Sequence, residues 1–222
     1  MRVVALGGVA GPILFSMITI VSAALRPDYS HVRNFISELG ADGTSHAALM
    51  NYAGFVPAGL MLAAFGIALA ATLPRDHFRI VASILVTLFG AGVAADGIMS
   101  CDPGCPQTGG SVENLIHNRI APVAFLCAII GAGIVGIRFR RLPAWRNLSR
   151  YSLVTSAVAF CFLVALATSL ELRLLTGLWQ RLLLVTLFSW CAVVGLRVFS
   201  TSSSQLAPSN NALQPTPQER RG

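Results

Sequence analysis

The segment RIAPVAFLCAIIGAGIVGIR, residues 119–138, decides the fold. Between Arg119 and Arg138 it runs from Ile120 to Ile137 without a charged side chain. A helix needs about 20 mostly apolar residues to cross the hydrocarbon core, where only helices and closed barrels satisfy their own backbone. Reading outward from it, Val3 to Leu25, Ala47 to Leu73 and Ile80 to Met99 qualify on one side, Tyr151 to Leu170 and Leu182 to Phe199 on the other. None alternates with the period of a barrel strand. The expected fold class is all-α, a polytopic membrane helix bundle of about six transmembrane helices. Composition agrees: 55% of the 222 residues are hydrophobic, 11% are charged and the mean hydropathy is +0.69, which polar surface on a water-soluble domain could not cover.

Domain organisation follows from one break. Residues 1–199 read as the six-helix transmembrane domain. Residues 200–222, rich in Ser, Pro, Gln and Asn, read as a disordered cytoplasmic tail with too little apolar area to offset ordering entropy. The first span is longer than the roughly 7–15 residue apolar core of a signal peptide and is expected to stay as an anchor. All 16 basic residues are arginine and they fall between apolar runs, a pattern that sets orientation and excludes nucleic acid as a partner. With the amino terminus inside, eleven arginines (2, 75, 79, 138, 140, 141, 146, 150, 197, 220, 221) face five (26, 33, 119, 173, 181). Both termini are therefore expected in the cytoplasm, with the chain multi-pass in the cell membrane. Small residues such as Gly7, Gly11, Gly90 and Ala94 permit close helix approach, and Pro57 is expected to kink the second span.

This topology gathers nearly all chemistry-capable side chains on the outer face. In the first outer loop Val32, Phe35, Ile36 and Leu39 share one face of a short helix that Gly40 ends, an amphipathic element expected to lie on or dip into the interface. Ser37, Glu38 and Asn34 are its candidate polar groups. The second loop, DGIMSCDPGCPQTGGSVENLIH, holds Asp96 at the outer end of the third span, where an ionisable group is a functional candidate or a helix-end carboxylate reaching water. Asp102, Glu113 and His117 follow, His117 being either an acid/base or an interfacial histidine. Arg181 begins the last span, placed to hold an anion, to pair with Asp96 or to snorkel. Cys101 and Cys105 flank a Asp102-Pro103-Gly104 turn on the oxidising side and are expected to form a disulfide. No metal-site spacing is diagnostic and no cofactor is implied.

The segments RPDYSHVRNFISELGADG, DGIMSCDPGCPQ with ENLIHN, RRLPAWRNLSRYSL and TGLWQRLLL resemble the uncharacterised membrane proteins grouped as domain-of-unknown-function family 998, found mainly in bacteria and archaea. The resemblance covers the chain up to Phe199. It implies about six spans, a Ser-Glu-Leu-Gly signature after the first (here Ser37, Glu38, Leu39 and Gly40), and an Asp then a His flanking the third-to-fourth connection (here Asp102 and His117). It implies a shared architecture and no assigned activity.

Two function classes are therefore open. In the first, a non-catalytic protein (a small transporter, a sensor or a partner subunit) uses the outer residues to bind or to lock helices. The scarcity of polar residues at mid-membrane disfavours an ion pathway. In the second, a membrane-embedded enzyme acts on a lipid or small molecule at the outer face. There His117 is acid/base, a carboxylate such as Asp102 or Glu38 orients it, and Arg181 holds an anionic headgroup. Convergence of these residues in one pocket separates the two. The lipid bilayer is a partner in either.

Overall fold

A computed structural model describes residues 2–74 and 76–204, with no side chain described for Arg2 or for residues 201–204. The tail expected over residues 200–222 lies, beyond Ser204, outside the described residues. Six helices are long and apolar enough to cross a membrane: α1 (Val3–Ala24), α2 (Leu49–Thr72), α3 (His77–Asp96), α4 (Val112–Phe139), α5 (Arg146–Thr168) and α6 (Thr176–Ser204). They form a closed up-and-down ring. Each helix packs on its neighbours in sequence, and α1 closes the circle against α6.

Why the ring closes tightly is visible at its glycines. α2 and α3 make the closest pair, and a Cβ on Gly59 would lie 2.6 Å from the Gly90 carbonyl oxygen and 2.7 Å from the Ala94 Cα. Packing in lipid gains nothing from hiding apolar surface, so backbone approach through small residues supplies the contact. The hole in the ring is filled by aromatic rings meeting edge to face, Phe15 with Phe55 at 5.0 Å and with Phe188 at 5.5 Å, and Phe65 with Trp190 at 6.3 Å. Pro57 acts one turn earlier than a simple kink. It cannot donate to the carbonyl of Ala53, and the turns just before it, Leu49–Phe55, are widened to π-helical bonding.

The two ends differ. At one, the connections are short: Asp76 caps α3 by accepting from the Arg79 backbone N–H at 2.8 Å and pairs with Arg138. Trp145 stacks on Phe139 at 4.9 Å beneath Arg197, whose guanidinium donates to the Ala144 carbonyl at 2.5 Å. At the other end three longer connections, 25–48, 97–111 and 169–175, fold over the ring. Two helices extend further into this end than hydropathy predicts, α6 starting at Thr176 instead of Leu182. α4 starts at Val112 instead of Ile120 because Ser111 caps it, accepting from the Asn114 N–H at 3.1 Å, and because Asn114 and His117 find polar partners.

Candidate functional site

The first connection is a correction to the expected interfacial helix. Residues 35–41 are all buried, with only a short 3-10 turn, Ser37–Gly40, inside them. The segment does not lie on the membrane surface; it plugs one mouth of the ring. A buried loop must have its backbone polar groups paired, and here side chains of α2, α6 and the connection itself do so together with backbone bonds. Gln180 Oε1 accepts from the Ile36 N–H at 2.7 Å, and the Leu178 N–H donates to the Val32 carbonyl at 3.0 Å. Asn51 Nδ2 donates to the Gly40 carbonyl at 2.8 Å and to Ser100 Oγ at 2.9 Å. Gly177 is required beneath the loop, since a Cβ there would run into the Asn34 carbonyl.

Glu38, 4% exposed, organises this plug from within. Its Oε2 accepts from Asn34 Nδ2 at 2.8 Å and its Oε1 from the Phe35 N–H at 3.0 Å, with Arg173 Nη1 3.8 Å away. Arg26 donates to its carbonyl. Arg181 neither meets Asp96 nor snorkels: it donates to the Asn34 and Gly177 carbonyls at 3.1 and 2.8 Å and to the Tyr29 hydroxyl, which itself donates to the Phe35 carbonyl at 2.9 Å. Burial pushes the Tyr29 phenol above its ordinary value, against the pull of Arg181.

The second connection is folded on itself by Asp102, which accepts from the Ser111 N–H and from Ser111 Oγ, both at 2.7 Å. Those two bonds hold its carboxyl below the ordinary value. Asn114, fully buried, donates to the Pro106 and Gly109 carbonyls at 3.0 Å each. Glu113, the expected companion of His117, is exposed. The sulfurs of Cys101 and Cys105 are bonded, with Cα atoms 5.1 Å apart, and Ser37 Oγ lies 3.4 Å from Cys105 Sγ. The Asp42 N–H donates to the Cys101 carbonyl at 2.8 Å, so the connections 25–48 and 97–111 pack directly on each other.

Beneath the plug and above the aromatic filling lies a cavity of about 210 Å³. Its walls are mostly apolar, among them Phe15, Phe55, Phe125, Leu163 and Leu166, and its polar lining includes Ser37, Asp96, His117, Asn118 and Gln180. Asp96 and His117 are brought together, Oδ1 to Nδ1 at 3.6 Å, with side chains 9% and 6% exposed. His117 Nδ1 meets the Met99 carbonyl at 2.8 Å, so the neutral ring spends its Nδ1 proton there. Asp96 Oδ1 is buried with no hydrogen-bond donor among the described residues. Pro122, also on the cavity wall, denies the Asn118 carbonyl its helical donor.

Of the residues expected at the site, Ser37, Asp96 and His117 converge on the cavity, while Glu38, Asn34 and Arg181 are spent on the plug and Asp102 on its own loop. Neither Glu38 nor Asp102 hydrogen-bonds His117. Asn51, Gln180 and Asn114 were not anticipated. Each is an amide near the end of an apolar run, where an unpaired polar group is costly. Among the described residues no three His, Cys, Asp or Glu side chains gather as a metal site requires.

The family described as "Protein of unknown function (DUF998)" matches residues 9–197. No curated protein and no solved structure matches the chain. The chain belongs to the DUF998 family of multi-pass membrane proteins.

Proposed function

We propose that this family member is a non-catalytic binding protein for an amphiphile with a hydrogen-bond-donating head, an alcohol or an amine. The reading rests on the unpartnered Oδ1 of Asp96 in a cavity whose other walls are apolar. A buried acceptor left without a donor costs about 1–3 kcal/mol, and a donor head removes that cost. At about 210 Å³ the space is smaller than the roughly 300–1,000 Å³ of sites that engulf a drug-sized ligand. Only the head and the first part of a chain fit. The chain leaves past α5, which supplies Leu163, Leu166, Ala167 and Leu170 to the wall and whose span is 22% buried, the least of the six. The aromatic filling below the cavity argues against a pathway through the bundle.

Photolabelling of the full chain with a diazirine-bearing long-chain alcohol, its amine and its carboxylic acid tests this. Alcohol and amine should label α4 and α5 around Phe125 and Leu166, the acid poorly, and Asp96→Leu, which removes the acceptor at similar size, should cut capture about tenfold, the worth of one hydrogen bond. Equal labelling by all three probes, unchanged in the variant, overturns the reading. The Asp96–His117 pair is the one observation favouring an enzyme instead. Turnover of the bound amphiphile that His117→Gln abolishes while leaving capture intact would establish that second reading.

Orientation is part of the same proposal. The arginine distribution supports both termini in the cytoplasm of the inner membrane, with the plugged end outside, and that side supports a lasting disulfide between Cys101 and Cys105. Thiol alkylation in intact cells should spare both until reductant is added. Reporter activity after Phe199 should be cytoplasmic, and labelling of either cysteine before reduction overturns the assignment.

A further inference from the structure

The end opposite the plug carries a second feature that the cavity does not explain. A groove of about 560 Å³ lies between the start of α5 and the last turns of α6. Its walls are apolar where it faces the hydrocarbon, through Leu148, Val193 and Leu196, and polar at its rim, through Asn147, Arg197 and Ser200. That order along the membrane normal is the order of an amphiphile's own parts. The surroundings are strongly basic: Arg140, Arg141, Arg146 and Arg150 are exposed and, among the described residues, pair with no carboxylate, while Asp76, the acid at this end, is already held by Arg138. Arg197 is fixed in place over the Trp145 ring, 5.7 Å from its centroid, and by the Ala144 carbonyl, so its charge stands at the rim without further ordering.

We infer that this groove is a binding site for one anionic phospholipid of the leaflet at the basic end, with its phosphate at the Asn147–Arg197–Ser200 rim and an acyl chain along Leu148, Val193 and Leu196. Charge complementarity selects the occupant. A neutral headgroup leaves the arginine field unanswered, and a free anion leaves the apolar wall uncovered. Each arginine near a membrane surface favours an anionic lipid by about 1 kcal/mol, or about fivefold in affinity. The site is independent of the outer cavity.

The test titrates the full chain in neutral detergent with phosphatidylglycerol, phosphatidylcholine or inorganic phosphate, and reads adducts by native mass spectrometry. Phosphatidylglycerol should bind preferentially. Ser200→Glu, an exposed change that places a negative charge at the rim, should weaken it about fivefold. Arg146→Gln with Arg150→Gln should weaken it about 25-fold, while Leu196→Trp should fill the groove and remove binding without altering charge. A control substitution at the plugged end, Arg33→Gln, should leave binding unchanged. Equal binding of phosphatidylcholine overturns the inference. So does phosphatidylglycerol retained by both Ser200→Glu and Leu196→Trp, displacement of the lipid by phosphate alone, or a second copy of the chain as the species that the groove variants release.

Discussion

The plugged end and the basic end put their polar side chains to opposite uses. At the basic end the connections are short turns, and the charged groups stand at the surface, with Asp76 and Arg138 partly exposed. At the plugged end one carboxylate and three amides are turned inward: Glu38, Asn51, Asn114 and Gln180 are buried and answer backbone groups of the connections. The difference teaches where a membrane bundle can afford a long loop inside itself. It needs one side-chain partner for each buried backbone group, and those partners must come from several helices at once.

That contrast predicts a gradient of mutational cost. Glu38→Ala removes the acceptor of the Phe35 N–H and of Asn34, and should lower stability by about 3 kcal/mol, two hydrogen bonds to a charged group. Thermal unfolding in detergent measures it, and a loss under about 0.5 kcal/mol would break the contrast. Asn114→Ala strands the Gly109 carbonyl and removes the acceptor of the Asp102 N–H, while the Pro106 carbonyl keeps Asn118 as donor; it should cost about 2 kcal/mol, read as faster hydrogen exchange over residues 102–111 and little change elsewhere. Arg181→Lys keeps the charge but loses the fork that spans Tyr29, Asn34 and Gly177. It should cost about 1 kcal/mol, seen as earlier proteolytic nicking between Tyr29 and Gly40.

Acid should act on the same loop as residues 102–111. The folded carboxyl of Asp102 is depressed by the two Ser111 bonds, so its contribution is present above the ordinary carboxylate range and disappears as pH falls through the lowered value. Exchange in residues 102–111 should therefore rise on acidification, and Ser111→Ala should move that rise to higher pH. At the basic end Asp76 is also depressed, first by the Arg79 N–H and then by Arg138. Asp76→Asn should nonetheless cost less than about 1 kcal/mol, as partly exposed pairs do. A larger cost there than at Arg181 would reverse the gradient.

The six spans were legible because length and hydropathy are local properties of the chain. Asp96 and His117 were legible as candidates because an ionisable group costs too much at such depth to be incidental. The burial of residues 35–41 was not legible. The spacing of Val32, Phe35, Ile36 and Leu39 fits an interfacial helix equally well, and the choice is made by Gln180, Asn51 and Arg181, which are distant in sequence. The role of Glu38 was hidden for the same reason: its carboxylate serves its own loop, where the sequence offered it as a partner to His117.

Closure of the ring also sets an order in time. The plug follows directly after α1, yet Gln180, the acceptor for the Ile36 N–H, lies 144 residues further on. At a synthesis rate of about 5–20 residues per second, the segment around Ser37 to Gly40 waits roughly 7 to 30 s for α6 to insert. During that interval its backbone must stay in water or with a chaperone, and the cavity beneath it has no ceiling. The last helix to leave the ribosome completes the site begun by the first.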